Sequence, residues 1–336
     1  MTKAFSAACL VVILCCEMAG AQTQCGVLPL GIPGGDAPPY DINDSGVVVG
    51  FSAEPDQGAY IWSNGTVSYL KGIDGVSTHA TPRGLNKYGR VVGTSSGLDS
   101  NQHATMWVNR TPKDLGLLPG GTASRAEDIN DLGHVVGGAD DGSQERAFVW
   151  KGGELTALPD GLPNEGSVAY AINNLGQIVG FDWELGEDGN LHTRAVMWDH
   201  GTVTYLGSFG DSGISQAFDI NDSGQIVGQS LTGAGSWKAF LWENGVMKKL
   251  GTLGGTTSQA LAINSLGVIV GISTNANNRF RAFIWKNGTM RDLDPETATH
   301  SSAAVAISNT GWVTGYIRTL PDQGRFREPF RWKKRC

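Results

Sequence analysis

The chain has 336 residues, a net charge of -7 and 48 glycines, about twice the ordinary ~7% glycine share. Its basic side chains are scattered rather than striped, which argues against a nucleic-acid partner, and its tryptophan, isoleucine and valine content excludes a disordered chain. Glycine reaches positive φ at no steric cost, so this composition points to a turn-rich, all-β protein.

At the N-terminus, Lys3, the apolar run from Phe5 to Cys16 and the small-residue end Ala19-Gly20-Ala21 make the three parts of a secretory signal peptide. The run is too short to span a bilayer, which needs about 20 apolar residues. Residues 1–21 are therefore expected to be removed, leaving residues 22–336 as one domain, secreted or periplasmic, with no transmembrane segment. Cys9, Cys15 and Cys16 leave with the signal. Cys25 and Cys336 remain, and an even pair in an exported chain reads as a disulfide.

From residue 42 onward one unit recurs. Ile42-Asn43-Asp44-Ser45-Gly46 runs into Val47-Val48-Val49-Gly50, and the pattern returns at 85–93, 129–137, 172–180, 220–228, 263–271 and 307–315. The second copy has Leu85 for Ile, and the seventh has Ser308 for Asn. A tryptophan follows each copy: Trp62, Trp107, Trp150, Trp198, Trp242, Trp285 and Trp332. Successive Asn positions lie 43, 44, 43, 48, 43 and 44 residues apart, room for about four short strands and no helix. The strand ending in Ile-Asn is the first, Val-Val-Gly the second, Phe-x-Trp the third, and stretches such as Val246–Leu250 the fourth. Asn-Gly at 64–65, 244–245 and 287–288 marks tight hairpins. Such a unit cannot bury both of its faces alone; stacking copies radially solves this, and seven lies within the 4–8 blades typical of a propeller. The expected fold is thus an all-β, seven-bladed propeller of four-stranded blades, with the tryptophans between blades. The chain stops soon after Trp332, so the last blade lacks a fourth strand. Gly26–Gly31 reads as the missing one and would close the ring, with Cys25 and Cys336 across the closure.

The run Ala-x-x-Ile-Asn-x-x-Gly-x-Val-Val-Gly, then Ala-Phe-x-Trp-x-Asn-Gly, then Leu-Gly-x-Leu-Gly-Gly, resembles the HAF-repeat family of extracellular bacterial proteins; residues 236–260 carry the motif best. The resemblance covers the mature chain and is weakest at the last copy. It implies secretion and a repetitive β architecture, and it brings no catalytic motif.

Candidate chemistry is sparse. Asp41-x-Asn43-Asp44, Asp128-x-Asn130-Asp131 and Asp219-x-Asn221-Asp222 resemble calcium loops, but the bidentate Glu of an EF-hand would fall at Ser52, Ala139 and Ser230. Asx-type turns are the expected reading. No histidine pair has zinc spacing and no Gly-x-Ser-x-Gly elbow occurs. No metal, cofactor or catalytic residue is assigned. Glu184, Glu187 and Asp188 are the one place for a glycosidase-like acid pair.

Length varies at one point in the unit. From the Val-Val-Gly glycine to Trp the distances are 12, 14, 13, 18, 14, 14 and 17 residues, whereas Trp to the next Asn position takes 22–24. The connection between strands two and three therefore carries the variation, and variable loops on a fixed scaffold are where binding concentrates. Trp183, His192 and Arg194 in the stretch 181–194, Trp237, Arg279, Phe280 and Arg281 on intervening loops, and Arg325 and Arg327 in the stretch 316–328 are the candidate ligand-binding residues. The function expected is a monomeric, exported, non-enzymatic scaffold for an extracellular ligand, glycan or protein. A propeller enzyme acting on an extracellular glycan and a self-assembling surface protein are the alternatives.

Overall fold

A computed structural model describes residues 26–33, 36–161, 166–186, 189–293, 300–318 and 327–333. Its strands form seven four-stranded antiparallel sheets arranged as a β-propeller. Strand β1 (Gly26–Pro29) precedes the first blade, which comprises β2 (Pro39–Ile42), β3 (Val48–Ser52), β4 (Gly58–Ser63) and β5 (Thr66–Tyr69). Blade two holds β6 (Ala80–Leu85) to β9 (Thr111–Asp114), blade three β10 (Ser124–Ile129) to β13 (Glu154–Ala157), and blade four β14 (Gly166–Ile172) to β17 (Thr202–Tyr205). Blade five runs from β18 (Ser215–Ile220) to β21 (Val246–Lys249), and blade six from β22 (Gly254–Ile263) to β25 (Thr289–Asp292). The last blade contains β26 (Ser301–Ile307), β27 (Trp312–Arg318) and β28 (Arg327–Lys333), and β1 pairs with β28, Val27 opposite Trp332. Cys25 and Cys336, and with them the expected disulfide, lie outside the described residues. No helix among the described residues is long and apolar enough to cross a membrane.

The first strand of each blade touches the first strands of both neighbours, so these seven strands surround the axis. Hydrophobic packing follows the same logic. Each of seven buried clusters spans two consecutive blades, from Trp62 with Ala306 at the closing interface to Trp150 with Val92 and Met106 between blades two and three. Each repeat tryptophan packs on the preceding blade, and Trp62, Trp107 and Trp198 donate their indole N–H to carbonyls of the chain that links the two blades. Burying one such ring removes about 150–250 Å² from water, roughly 4–6 kcal/mol as an upper bound.

The glycine of Val-Val-Gly has a steric cause. Every first strand carries a β-bulge two residues before its Ile-Asn, at Tyr40, Arg83, Glu127, Tyr170, Phe218, Leu261 and Val305. The distorted strand presses a carbonyl onto the paired glycine: a Cβ at Gly228 would lie 2.0 Å from the Gln216 oxygen, and one at Gly271 2.0 Å from that of Gln259. Only a residue without a Cβ fits there.

The Asn of Ile-Asn also works twice. Asn221 Oδ1 accepts the N–H groups of Ser223 and Gln225 in its own turn, while its Nδ2 donates to the Asn264 carbonyl of the next blade. The same donation runs from Asn43 to Asn86, Asn86 to Asn130, Asn130 to Asn173, Asn173 to Asn221 and Asn264 to Ser308. At the seventh blade Ser308 is too short to continue it. There Thr310 Oγ1 donates to the Asp44 carbonyl at 2.8 Å, and the Asp44 carboxylate accepts the N–H groups of Asn309 and Thr310.

Candidate ligand-binding site

The two ends of the propeller present different surfaces. At the end carrying the Asn-x-x-Gly and Asn-Gly hairpins, the axis opens into a cavity of about 190 Å³ walled by Asp41, Asp128 and Asp219 together with the Asn ladder. These three aspartates are not turn residues, as the sequence reading had them; the asparagines make the turns. Each aspartate ties two blades: Asp128 accepts from its own Ile129 at 2.7 Å and from Ile172 of the next blade at 2.9 Å, and Asp41 and Asp219 do the same with Leu85 and Ile263. Blades one, three and five carry Asp, while Gly84, Ala171, Ala262 and Ala306 take the equivalent position elsewhere. The small residues leave room for the neighbouring carboxylates; a Cβ at Gly84 would lie 3.0 Å from Asp128 Cα.

The carboxyls sit on the cavity wall but deep within the ring, and burial pushes Asp128 up to about 6 and Asp219 up to about 7 against the hydrogen bonds that favour their ionised forms. Asp41 is raised well above its ordinary value, by burial first and then by the charge of Asp128. Among the described residues no group of three or more His, Cys, Asp or Glu is placed to hold a metal ion.

At the opposite end, blades five, six and seven enclose a cleft of about 320 Å³. Trp237 opens β20 (Trp237–Glu243), Phe280 opens β24 (Phe280–Lys286), and Tyr316 stands near the end of β27; all three line it. Gln259, Ser301 and Arg318 supply polar groups, and Ile272 and Ala303 complete the apolar wall. This volume is at the small end of the ~300–1,000 Å³ of ligand pockets, and its mixture of aromatic wall and few polar groups is what such pockets share. The Tyr316 ring has two guanidiniums near it, Arg318 at 5.7 Å and Arg327 at 5.9 Å from its centre.

Of the residues singled out in the sequence, Trp237 and Phe280 meet at this cleft, and both begin strands rather than lie on loops. The stretch 181–194 is also mostly strand: β15 (Ile178–Leu185) and β16 (Leu191–Asp199) extend the hairpin, pairing Leu185 with Leu191 and Glu184 with His192. Trp183 and Arg194 belong to this hairpin on blade four and do not line the cleft. Trp183 lies over Gly166, where a Cβ would come 2.3 Å from the indole, and Arg194 binds Asp182 at 3.0 Å and faces the Tyr205 ring. Arg281 is not a surface residue at all: it is 1% exposed, pairs with Asp292 and donates to the His300 carbonyl. Arg327 pairs with Asp36 at 2.7 Å, and Arg279 is exposed at the tip of its hairpin. Arg325, Glu187 and Asp188 lie outside the described residues.

Tyr316 and Arg318 were missed as individual site residues. Both lay inside the stretch 316–328 read as loop, from which Arg325 and Arg327 were singled out instead. The bulge layer was missed as well. Its seven side chains circle the axis, with Arg83 over the Tyr40 ring and near Glu127, and Tyr170 edge-on to Phe218. The polar members stand on blades one to four, whereas Phe218, Leu261 and Val305 stand on the three blades that build the cleft.

No known family model matches the chain, and no curated protein matches it. Solved structures do. The extracellular domain of the candidate one component system BT4673 from B. thetaiotaomicron superposes with a TM-score of 0.56 at 8% identity, over 94% of this chain and 40% of that one. A prolyl endopeptidase gives 0.51 at 10% identity, over 82% and 46%. TolB from Acinetobacter baumannii gives 0.47 at 12%, over 90% and 69%. The chain thus spans less than half the length of the first two. At such identities the similarity concerns the fold alone, which hosts extracellular domains and enzymes alike.

Proposed function

We propose that this chain is an exported, non-enzymatic binding scaffold of the HAF-repeat kind, and that its ligand is a glycan held in the cleft of blades five to seven. The observation that carries the reading is the meeting of Trp237, Phe280 and Tyr316, drawn from three blades, on one cavity with Gln259, Ser301 and Arg318. Aromatic rings offer flat apolar surface to the C–H face of a sugar, and hydroxyl and amide groups fix its orientation. Export rests on the signal pattern of residues 1–21.

A glycan array probed with the mature chain tests the proposal. Replacing Trp237 and Phe280 together by alanine should remove the binding while shifting the melting temperature by less than about 3 °C, because both side chains keep part of their surface in solvent. Release of reducing ends from a bound glycan would instead make the protein a glycan-cleaving enzyme. Binding that survives the double replacement would place the ligand elsewhere.

A further inference from the structure

We infer that the ligand of this cleft is an acidic glycan, one whose sugar rings carry carboxylates, and that Arg318 reads the charge. The inference rests on the binding reading above and adds the ligand's chemistry to it. Among the described residues Arg318 is the only charged side chain that lines the cleft, and it has no salt-bridge partner there. Neighbouring guanidiniums are neutralised: Arg281 by Asp292, and Arg327 by Asp36, which it meets through both Nε and Nη2. Lys238, beside Trp237, donates to the Thr256 carbonyl, and Arg318, whose charge also acts on Asp36, stands exposed at the edge of the cleft.

The placement of that cation suits a carboxylate on a ring. Arg318 lies 5.7 Å from the centre of Tyr316, so a sugar resting against the aromatic wall brings a ring substituent within reach of the guanidinium fork. A planar fork meets a carboxylate with two parallel hydrogen bonds, a geometry that a neutral ester or hydroxymethyl group cannot match. The other polar groups of the lining are uncharged: Thr257 and Gln259 stand on blade six, and Ser301 pairs with Arg318 itself across blade seven. The chain as a whole carries -7, so its overall field repels an anion. Selection for acid must therefore come from this local contact.

Titration calorimetry of the mature chain with oligogalacturonate and oligomannuronate, each compared with its methyl ester, tests the inference. The acid of at least one pair should bind ten-fold or more tighter than its ester. Arg318→Gln should abolish the difference between acid and ester, and Trp237→Ala should weaken both. An ester bound as tightly as its acid, or an acid preference that persists in R318Q, would overturn the assignment. If neither acid binds but a neutral glycan does so through Trp237, the charge reading falls and the glycan reading stands. If no glycan binds through Trp237, both fall together.

Discussion

The two ends of this propeller obey different rules, although the same seven repeats build both. At the hairpin end six of the seven blades solve the same problem in the same way: an asparagine closes its own turn and reaches across to the next blade, and at the seventh Thr310 and Asp44 make the link instead. At the other end the exposed surface changes around the ring. Blade two places His103 between Asp99 and Asp114, blade four extends its hairpin to Leu185 and Leu191, and blades five to seven open a cleft. The hairpin end is where the ring is held to its seven-fold arrangement, and the loop end is where one copy is free to differ from the next. A function that needs asymmetry belongs at the second.

The largest effect expected from this contrast comes from two glycines of the same blade. Gly228 faces the Gln216 carbonyl beneath the bulge, and a Cβ there would sit 2.0 Å from the oxygen and 2.9 Å from the Phe240 ring. Gly233, in the loop end's connection between strands two and three, has nothing within 4 Å of its Cβ position. Gly228→Ala should therefore cost about 3 kcal/mol or more, since backbone cannot yield as a side chain does. Gly233→Ala should change stability by less than about 0.5 kcal/mol. Urea denaturation of both variants checks the pair, and similar midpoints would erase the distinction between the ends.

That contrast also marks how far the sequence could be read. Strand number, blade count and the inter-blade place of the tryptophans were legible because a repeat multiplies every signal by seven. The Asn and Gly positions were visible as constants, but their causes were not: both depend on a neighbouring blade or a bulge, which no local pattern encodes. The alternation of Asp41, Gly84, Asp128, Ala171, Asp219 and Ala262 was equally visible, and was attributed to turn chemistry because the partner N–H groups lie 44 residues away, Leu85 for Asp41, Ile172 for Asp128 and Ile263 for Asp219. At the loop end the outcome reversed. Trp237 and Phe280 stood out as aromatics beyond the repeat, whereas Arg281 was indistinguishable by type from Arg318, and only the fold separates a buried ion pair from an exposed cation.

A middle-sized effect concerns the ladder. Asn221→Ala removes the acceptor for two turn N–H groups and the donor to the Asn264 carbonyl, all in a buried setting. Leaving such groups unpaired costs about 1–3 kcal/mol. Asn221→Asp keeps the acceptor and loses the Nδ2 donations to the Asn264 carbonyl and to Gln225 Oε1, so it should fall between alanine and the native protein. Thermal melts of the three proteins should keep that order. Aspartate melting below alanine would mean that charge at the axis, not the lost donations, governs this position.

The last effect is a slope with pH, and it belongs mainly to the hairpin end. Asp219 titrates at about 7 in the folded ring and near 3.8 in an unfolded chain. A raised carboxyl binds its proton more tightly when folded, so folding gains most where the group is protonated. That contribution is complete below about pH 4 and is lost as the pH rises through 7. Asp128, at about 6, adds a second loss of the same sign slightly earlier. Carboxylates held low, such as Asp141 at about 2, change stability only under stronger acid, so between pH 5 and 8 the axial carboxyls titrate alongside two histidines, of which His134, lowered by burial, acts in the opposite direction. His103, raised by Asp114 and Asp99 against its burial, contributes in the same direction within that window, and comparison with a variant removes it. Over this window the native protein should melt several degrees lower at pH 8 than at pH 5, and Asp219→Asn should flatten part of that slope while lowering stability at pH 5. The amide keeps one acceptor for Ile220 but turns a donor or nothing toward Ile263. Among the described residues no carboxylate or imidazole lines the cleft, so glycan affinity through Trp237 should stay flat from pH 5 to 8 in both proteins. A native slope of the opposite sign, or one left intact by Asp219→Asn, would show that these carboxyls are ionised in the folded ring and that burial there is weaker than their surroundings imply.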